Sequence, residues 1–293
     1  MEVVKPVKRN VLLNPGPATT SDAVKYAQVV PDICPREQEF VEIMTQVRKD
    51  LVKVVHGDPE QYCAVVFTGS GTIIQDVLVN SLVPEGKKIC VVNNGAYSAR
   101  MVEIAEYYHI PCVDLKFPST ELPDLAVVKK ELENDKDIAV VATVHHETGT
   151  GVLNPIKEIG QMAHDYGAIF VVDTISTYGL LPIDIAEQNI DFLMSSAQKG
   201  LAGMTGASWT VGKIDEIKKT KDYPSRSYYC NLFMQFDFFD RVGEMHFTPP
   251  VQTMYALQQA IKEYFEEGEQ ARWERLTKCW EAIHKGLAEM GLG

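Results

Sequence analysis

Short apolar runs alternating with helical patterns constrain this chain more than any other feature of its sequence. The runs fall at 63–67, 89–93, 111–115, 138–144, 168–172, 190–194 and 207–212, each with the length and character of a buried strand. Helical periodicity lies at 37–55, 72–81, 98–108, 123–134, 155–166 and 184–188. Strands alternating with helices predict an α/β fold with a doubly wound, mainly parallel sheet. Ligands of such a sheet bind beyond the carboxyl ends of its strands, where Thr68, Asn94, His145, Asp173 and Ser195 all fall. Residues 1–20 read as an arm with the rigid turn Asn14-Pro15-Gly16-Pro17. Residues 213–248 read as irregular and aromatic-rich, core on one reading and a subunit interface or site wall on the other. A long helix is expected from Val251 into the last residues.

Two runs carry reactive side chains to one sheet edge. Ala168-Ile169-Phe170-Val171-Val172 ends on Asp173, and Ile190-Asp191-Phe192-Leu193-Met194 leads into Ser195-Ser196-Ala197-Gln198-Lys199. A third, Val65-Val66-Phe67, leads into Thr68-Gly69-Ser70-Gly71-Thr72 and then a helix. Each feature has an ordinary explanation: a strand-end acid, a solvated lysine, a glycine turn with Thr72 as cap. Together, and in this order, they meet the needs of pyridoxal phosphate. A lysine forms the Schiff base, an aspartate keeps the pyridine nitrogen protonated, and a helix N-terminus binds phosphate. The turn is not a P-loop, since no Gly-Lys-Ser/Thr follows at the required spacing. It also lacks the full glycine pattern of a dinucleotide site.

Composition narrows the class further. A chain of 293 residues that is 45% hydrophobic can bury a sizeable core. A net charge of −12 argues against nucleic acid and anionic membrane surfaces as partners. No apolar stretch reaches membrane-spanning length, and Met1-Glu2-Val3-Val4-Lys5 does not read as a signal peptide. Six cysteines, Cys34, Cys63, Cys90, Cys112, Cys230 and Cys279, include no Cys-x-x-Cys pair and read as reduced thiols of a cytoplasmic protein. His145-His146-Glu147 invites a metal, but adjacent residues of an extended segment point to opposite sides, so no metal is expected.

The motifs Leu12-Leu13-Asn14-Pro15-Gly16-Pro17-Ala18-Thr19-Thr20, Gly69-Ser70-Gly71-Thr72, Asn93-Asn94-Gly95-Ala96-Tyr97, His145-His146-Glu147-Thr148-Gly149-Thr150-Gly151, Val171-Val172-Asp173, Ser195-Ser196-Ala197-Gln198-Lys199 and Phe247-Thr248-Pro249-Pro250 span nearly the whole chain. Through them the chain resembles the fold-type I, class V pyridoxal-phosphate aminotransferases, most closely the 2-aminoethylphosphonate–pyruvate transaminases. The resemblance implies that Lys199 and Asp173 are the catalytic pair. It implies that Ser70, Gly71 and Thr72 cradle the phosphate, helped by Gln198. Tyr97 would stack on the pyridine ring, Ile175 would pack on its other face, and Thr148 would bond the ring hydroxyl. Thr248 would reach the phosphate of a neighbouring subunit, which implies a homodimer. The partners implied are an amine donor and a keto acid acceptor. For the donor's phosphonate, Arg36 and Arg226 are the candidates.

Two departures accompany the resemblance. Gln198 and Gly200 stand where the phosphonate transaminases tend to have asparagine and cysteine, and Gln198 is closer to the alanine–glyoxylate type. The resemblance also implies a C-terminal lobe of roughly 50–100 residues with a carboxylate-binding arginine. The expected organisation is therefore an arm (1–20), a cofactor-binding large domain (21–250), and a connecting helix (251–293) leading into a lobe that is absent. The alternatives left open are an alanine–glyoxylate or serine–pyruvate transaminase and a non-catalytic remnant that binds the cofactor without turnover.

Overall fold

A computed structural model describes residues 10–292. Residues 1–9 of the arm, and Gly293, lie outside the described residues.

The strands form where the apolar runs predict them: β1 (Tyr62–Gly69), β2 (Lys88–Asn93), β3 (Cys112–Lys116), β4 (Ile138–Val144), β5 (Ile169–Asp173), β6 (Phe192–Ser196) and β7 (Gly206–Lys213). They make one sheet in the order β1-β7-β6-β5-β4-β2-β3. Only β7 runs antiparallel to its neighbours, so the carboxyl ends of the other six strands meet at one edge. The strands are buried because helices cover both faces, as a parallel sheet requires. Val171, Val172, Phe192, Leu193 and Met194 are at most 2% exposed.

The helices are α1 (Asp22–Tyr26), α2 (Gln38–Val54), α3 (Thr72–Leu82), α4 (Ala96–Tyr107), α5 (Leu125–Asn134), α6 (Ile156–Asp165), α7 (Ile214–Lys219), α8 (Leu232–Val242), α9 (Val251–Glu267) and α10 (Glu269–Glu289). In α2 the buried Phe40, Met44, Val47, Leu51 and Val54 recur every three or four residues, a helical stripe facing the core.

The structure departs from the sequence-based expectation at four places. Residues 184–188 form a turn, not a helix. The Asp184 carboxylate accepts from Ala186 and Glu187 N–H, and the chain then reverses through Asn189 at φ +58°. The strand expected at 190–194 starts two residues later. Asp191 is instead a buried tie that accepts from Phe170 N–H (2.7 Å), His164 (2.8 Å) and Lys213 (2.6 Å). The segment 213–248 is not irregular throughout, because α7 and α8 lie within it. In α8, Leu232, Gln235, Phe236 and Phe239 turn inward on one face. The long C-terminal helix is two helices, broken at Gly268, whose φ of +80° ends α9.

Candidate active site

Asp173 closes β5 at the carboxyl edge and is 2% exposed. Its Oδ1 accepts from the Ile175 N–H (2.9 Å) and its Oδ2 from Gln75 Nε2 (2.7 Å). Burial pushes this carboxyl up to about 6, partly offset by those two donors. The same Gln75 amide reaches the Tyr97 carbonyl oxygen (3.2 Å), so one buried side chain of α3 ties the strand-end acid to the first turn of α4.

Lys199 follows β6 in a short loop. Burial lowers the pKa of its amine, and the Asp173 charge opposes that shift. The direction favours a neutral amine, which a nucleophile needs. The arm lies directly on this side chain. Lys199 Nζ donates to the Pro15 carbonyl (3.4 Å), and Ala18 N–H donates to the Gln198 carbonyl (2.8 Å). Gly16 has φ +149°, a conformation that strains any side chain, and a Cβ there would press on the Lys199 side chain.

Around these two groups the expected residues assemble in part. Ile175 packs on the glycine turn: a Cβ on Gly71 would meet its Cδ1 at 2.7 Å. Gly71 immediately precedes α3, where backbone N–H groups lack intrahelical partners and favour an anion. Ser70 and Thr72 are exposed at the same turn. Thr148 pairs with the Ser176 hydroxyl at 2.5 Å. Thr248 is exposed; of the expected residues, Lys199 and Thr148 line the lysine cavity. Arg36 and Arg226 are not at this site. Arg36 is held by Glu244 and by the Met245 and His246 carbonyls. Arg226 caps the end of α3 through the Asn80 and Val83 carbonyls (2.7 and 2.9 Å).

A cavity of about 450 Å³ opens over Lys199, lined also by Asn14, His146, Thr148, Ser176, Arg272 and Arg275. Its arginines are spaced i, i+3 on α10 and so share a face. Both bind Glu267, and Arg272 also donates to the Gly200 carbonyl beside Lys199. Sequence reasoning passed over these two, and also over Gln75, Ser176 and Arg100. Arg100 lies over the Tyr97 ring at 4.7 Å and reaches Thr72 Oγ1 at 3.3 Å. Gln75 stands beside Asp76 in α3, so no local pattern marks it.

The residues present fit pyridoxal phosphate. Thr68 Oγ1, Ser196 Oγ and Gln198 Oε1 are buried without hydrogen-bond partners. Ser196 Oγ would lie 3.4 Å from a Cβ on Gly71, at the turn suited to phosphate. A lysine whose amine burial makes less basic, a buried carboxylate and a glycine turn opening a helix, all at one sheet edge, are what a pyridoxal-phosphate-dependent transferase requires.

Comparison with known proteins agrees. The family described as "Aminotransferase class-V" matches residues 22–292. A 2-aminoethylphosphonate–pyruvate transaminase of Bacillus cereus (strain Q1) is 36% identical over 283 residues, covering 96% of this chain and 77% of that protein. One of Bacteroides fragilis (strain YCH46) is 34% identical, covering 97% and 79%. Among solved structures, an alanine–glyoxylate aminotransferase of Nostoc sp. superposes with a TM-score of 0.89 at 25% identity, covering 99% of this chain and 77% of that one. The chain belongs to the class V aminotransferases.

Proposed function

We propose that this chain transfers the amino group of 2-aminoethylphosphonate to pyruvate, giving phosphonoacetaldehyde and alanine. The observation that carries this reading is identity of 34–36% over nearly the whole chain to relatives named for that reaction. Pyridoxal phosphate, when bound, supplies the carbonyl that carries the nitrogen and the electron sink for the donor's C–H bond. Lys199 would hold the cofactor through Nζ, and with that amine free would take and return the proton at the substrate carbon. Asp173 would hold a proton on the ring nitrogen, Ile175 and Tyr97 would pack on the ring, and Thr148 would bond its hydroxyl. Ser70, Gly71, Thr72 and Gln198 would hold the phosphate, and Thr248 would serve the phosphate of a partner subunit. The same reading divides the chain into an arm (1–20), a cofactor-binding domain (21–250) and connecting helices beyond, in a cytoplasmic homodimer. No helix among the described residues is long and apolar enough to cross a membrane.

Gln198, together with the Nostoc neighbour, favours a second reading, an alanine–glyoxylate transaminase. An amine-donor screen separates the two. With pyruvate as acceptor, 2-aminoethylphosphonate is expected to be consumed well ahead of alanine, serine or aspartate. Preference for alanine with glyoxylate would replace the first reading with the second. Borohydride should fix the cofactor on the Lys199 peptide, and Lys199→Ala should bind cofactor weakly without turnover. Label on another lysine of folded protein would overturn the assignment.

A further inference from the structure

Helix α4 carries Tyr97 in its first turn but has no side-chain cap of its own, because its N-cap residue is Gly95. Its cap comes from about fifty residues away. The Glu147 carboxylate, 1% exposed, accepts from Ser98 N–H (2.8 Å), Ser98 Oγ–H (2.7 Å) and Tyr97 N–H (3.3 Å). A carboxylate at a helix N-terminus is favoured both by charge-assisted hydrogen bonds and by the helix dipole. The approach needs Gly95, since a Cβ there would lie 2.3 Å from Glu147 Cδ.

Glu147 can act as a clamp because its own backbone is fixed. Its N–H donates to the Val152 carbonyl (3.0 Å), and its carbonyl accepts from Thr150 and Gly151 (3.2 and 2.8 Å). Two residues earlier, His145 N–H donates to the Asp173 carbonyl (2.9 Å), and its carbonyl accepts from Asn154 N–H (2.8 Å). The loop is braced again by the paired amides of Asn94 and Asn154 (2.7 and 3.0 Å). Thr148 is the next residue along. The loop that presents Thr148 thus also grips the turn that presents Tyr97, and it is anchored to the strand end that presents Asp173.

We propose that Glu147 is a positioning residue of this site, setting the Tyr97 ring in register with Thr148 and Asp173 by capping α4 from the neighbouring loop. The proposal rests on the cofactor reading above only for what the ring is positioned against. The test is amide hydrogen exchange of cofactor-free protein, with circular dichroism of the cofactor band after loading with pyridoxal phosphate. Glu147→Gln keeps the shape but turns an NH₂ toward one of the donors. Exchange of the Tyr97 and Ser98 amides is expected to rise about tenfold, the size of a lost helix cap. Amides of α6 should stay unchanged, and the induced circular dichroism should fall. Ser98→Ala, which deletes one donor and leaves Glu147 intact, should give a smaller effect in the same direction.

Unchanged exchange at Tyr97 and Ser98 in folded Glu147→Gln would overturn the proposal. Equal acceleration throughout the protein would overturn it too, by showing a general stabilising role. If pyridoxal phosphate fails to bind the wild-type chain, the cofactor reading falls, whereas exchange in the cofactor-free protein still decides the clamp.

Discussion

Asp173 should reveal its environment through pH before any substrate is added. Its carboxyl is pushed up to about 6, by burial first, whereas an unfolded chain releases that proton near pH 4. Between these values the folded protein binds a proton that the unfolded chain has lost. Stability of the cofactor-free protein therefore falls as pH rises from about 4 to about 6, and the loss is complete above that. A shift of this size corresponds to about 3 kcal/mol. Asp173→Asn removes the charge, and a turned Gln75 amide can still meet it through the Oε1 that now lacks a partner. The cofactor-free variant should melt above wild type at about pH 8, and the gap should close as pH falls toward about 4. A gap independent of pH would show that another group titrates. The same variant should bind cofactor more weakly, because the ring nitrogen loses its anionic partner. Asp173 and Lys199 could be placed at the sheet edge from the sequence because Asp173 ends the buried strand β5 and Lys199 comes three residues after β6, so the fold fixes where each emerges. Glu147 and Gln75 could not be placed in this way. Their roles rest on contacts 49 and 98 residues distant, which no local pattern encodes.

The same contrast holds among the elements. The apolar runs marked the strands to within about two residues, since a strand buried on both faces has little choice of composition. Helix α8 escaped notice because aromatics at Phe233 and Phe238 interrupt its inward stripe of Leu232, Gln235, Phe236 and Phe239. The break between α9 and α10 escaped because residues on both sides favour helix and only Gly268 carries the signal. That break gives a paired test. Gly268 adopts φ +80°, ψ 142°, a region nearly confined to glycine. A Cβ there would meet nothing within 4 Å, so substitution costs only backbone strain. Gly268→Ala should lower stability by about 1–3 kcal/mol. Gly286, inside α10, also has open space around it. Gly286→Ala should raise stability by up to about 1 kcal/mol, through helix propensity alone. Urea midpoints with unchanged slopes would establish both. If both alanines destabilised the chain equally, the two helices would be responding as one.

At the scale of the whole molecule, a protein of net charge −12 must gather anionic ligands through local donors. Within one chain the donors near Lys199 are the N–H groups that open α3 and Arg272 and Arg275, both already paired with Glu267. Thr248 is one of the expected residues that do not line the lysine cavity of one chain. It is exposed, and next to it Phe247 stacks on Tyr229 at 4.7 Å and meets Tyr228 edge-on at 5.8 Å. Tyr228 is 71% exposed, and Val11 and Leu13 of the arm are 81% and 94% exposed. Exposed apolar surface of this kind, with the Tyr228 ring against the neighbour of Thr248, suits burial against a second copy that would bring Thr248 to its phosphate turn. Sedimentation equilibrium should therefore give a dimer. Replacing Tyr228 and Tyr229 by serine should shift it toward monomer, and cofactor affinity should fall in step with dilution. Thr248→Ala should leave the dimer intact yet weaken cofactor binding about ten- to a hundredfold, the worth of one hydrogen bond to a charged group. A monomer with undiminished cofactor affinity would show that each chain completes its own phosphate site, and Thr248 would then have no part in it.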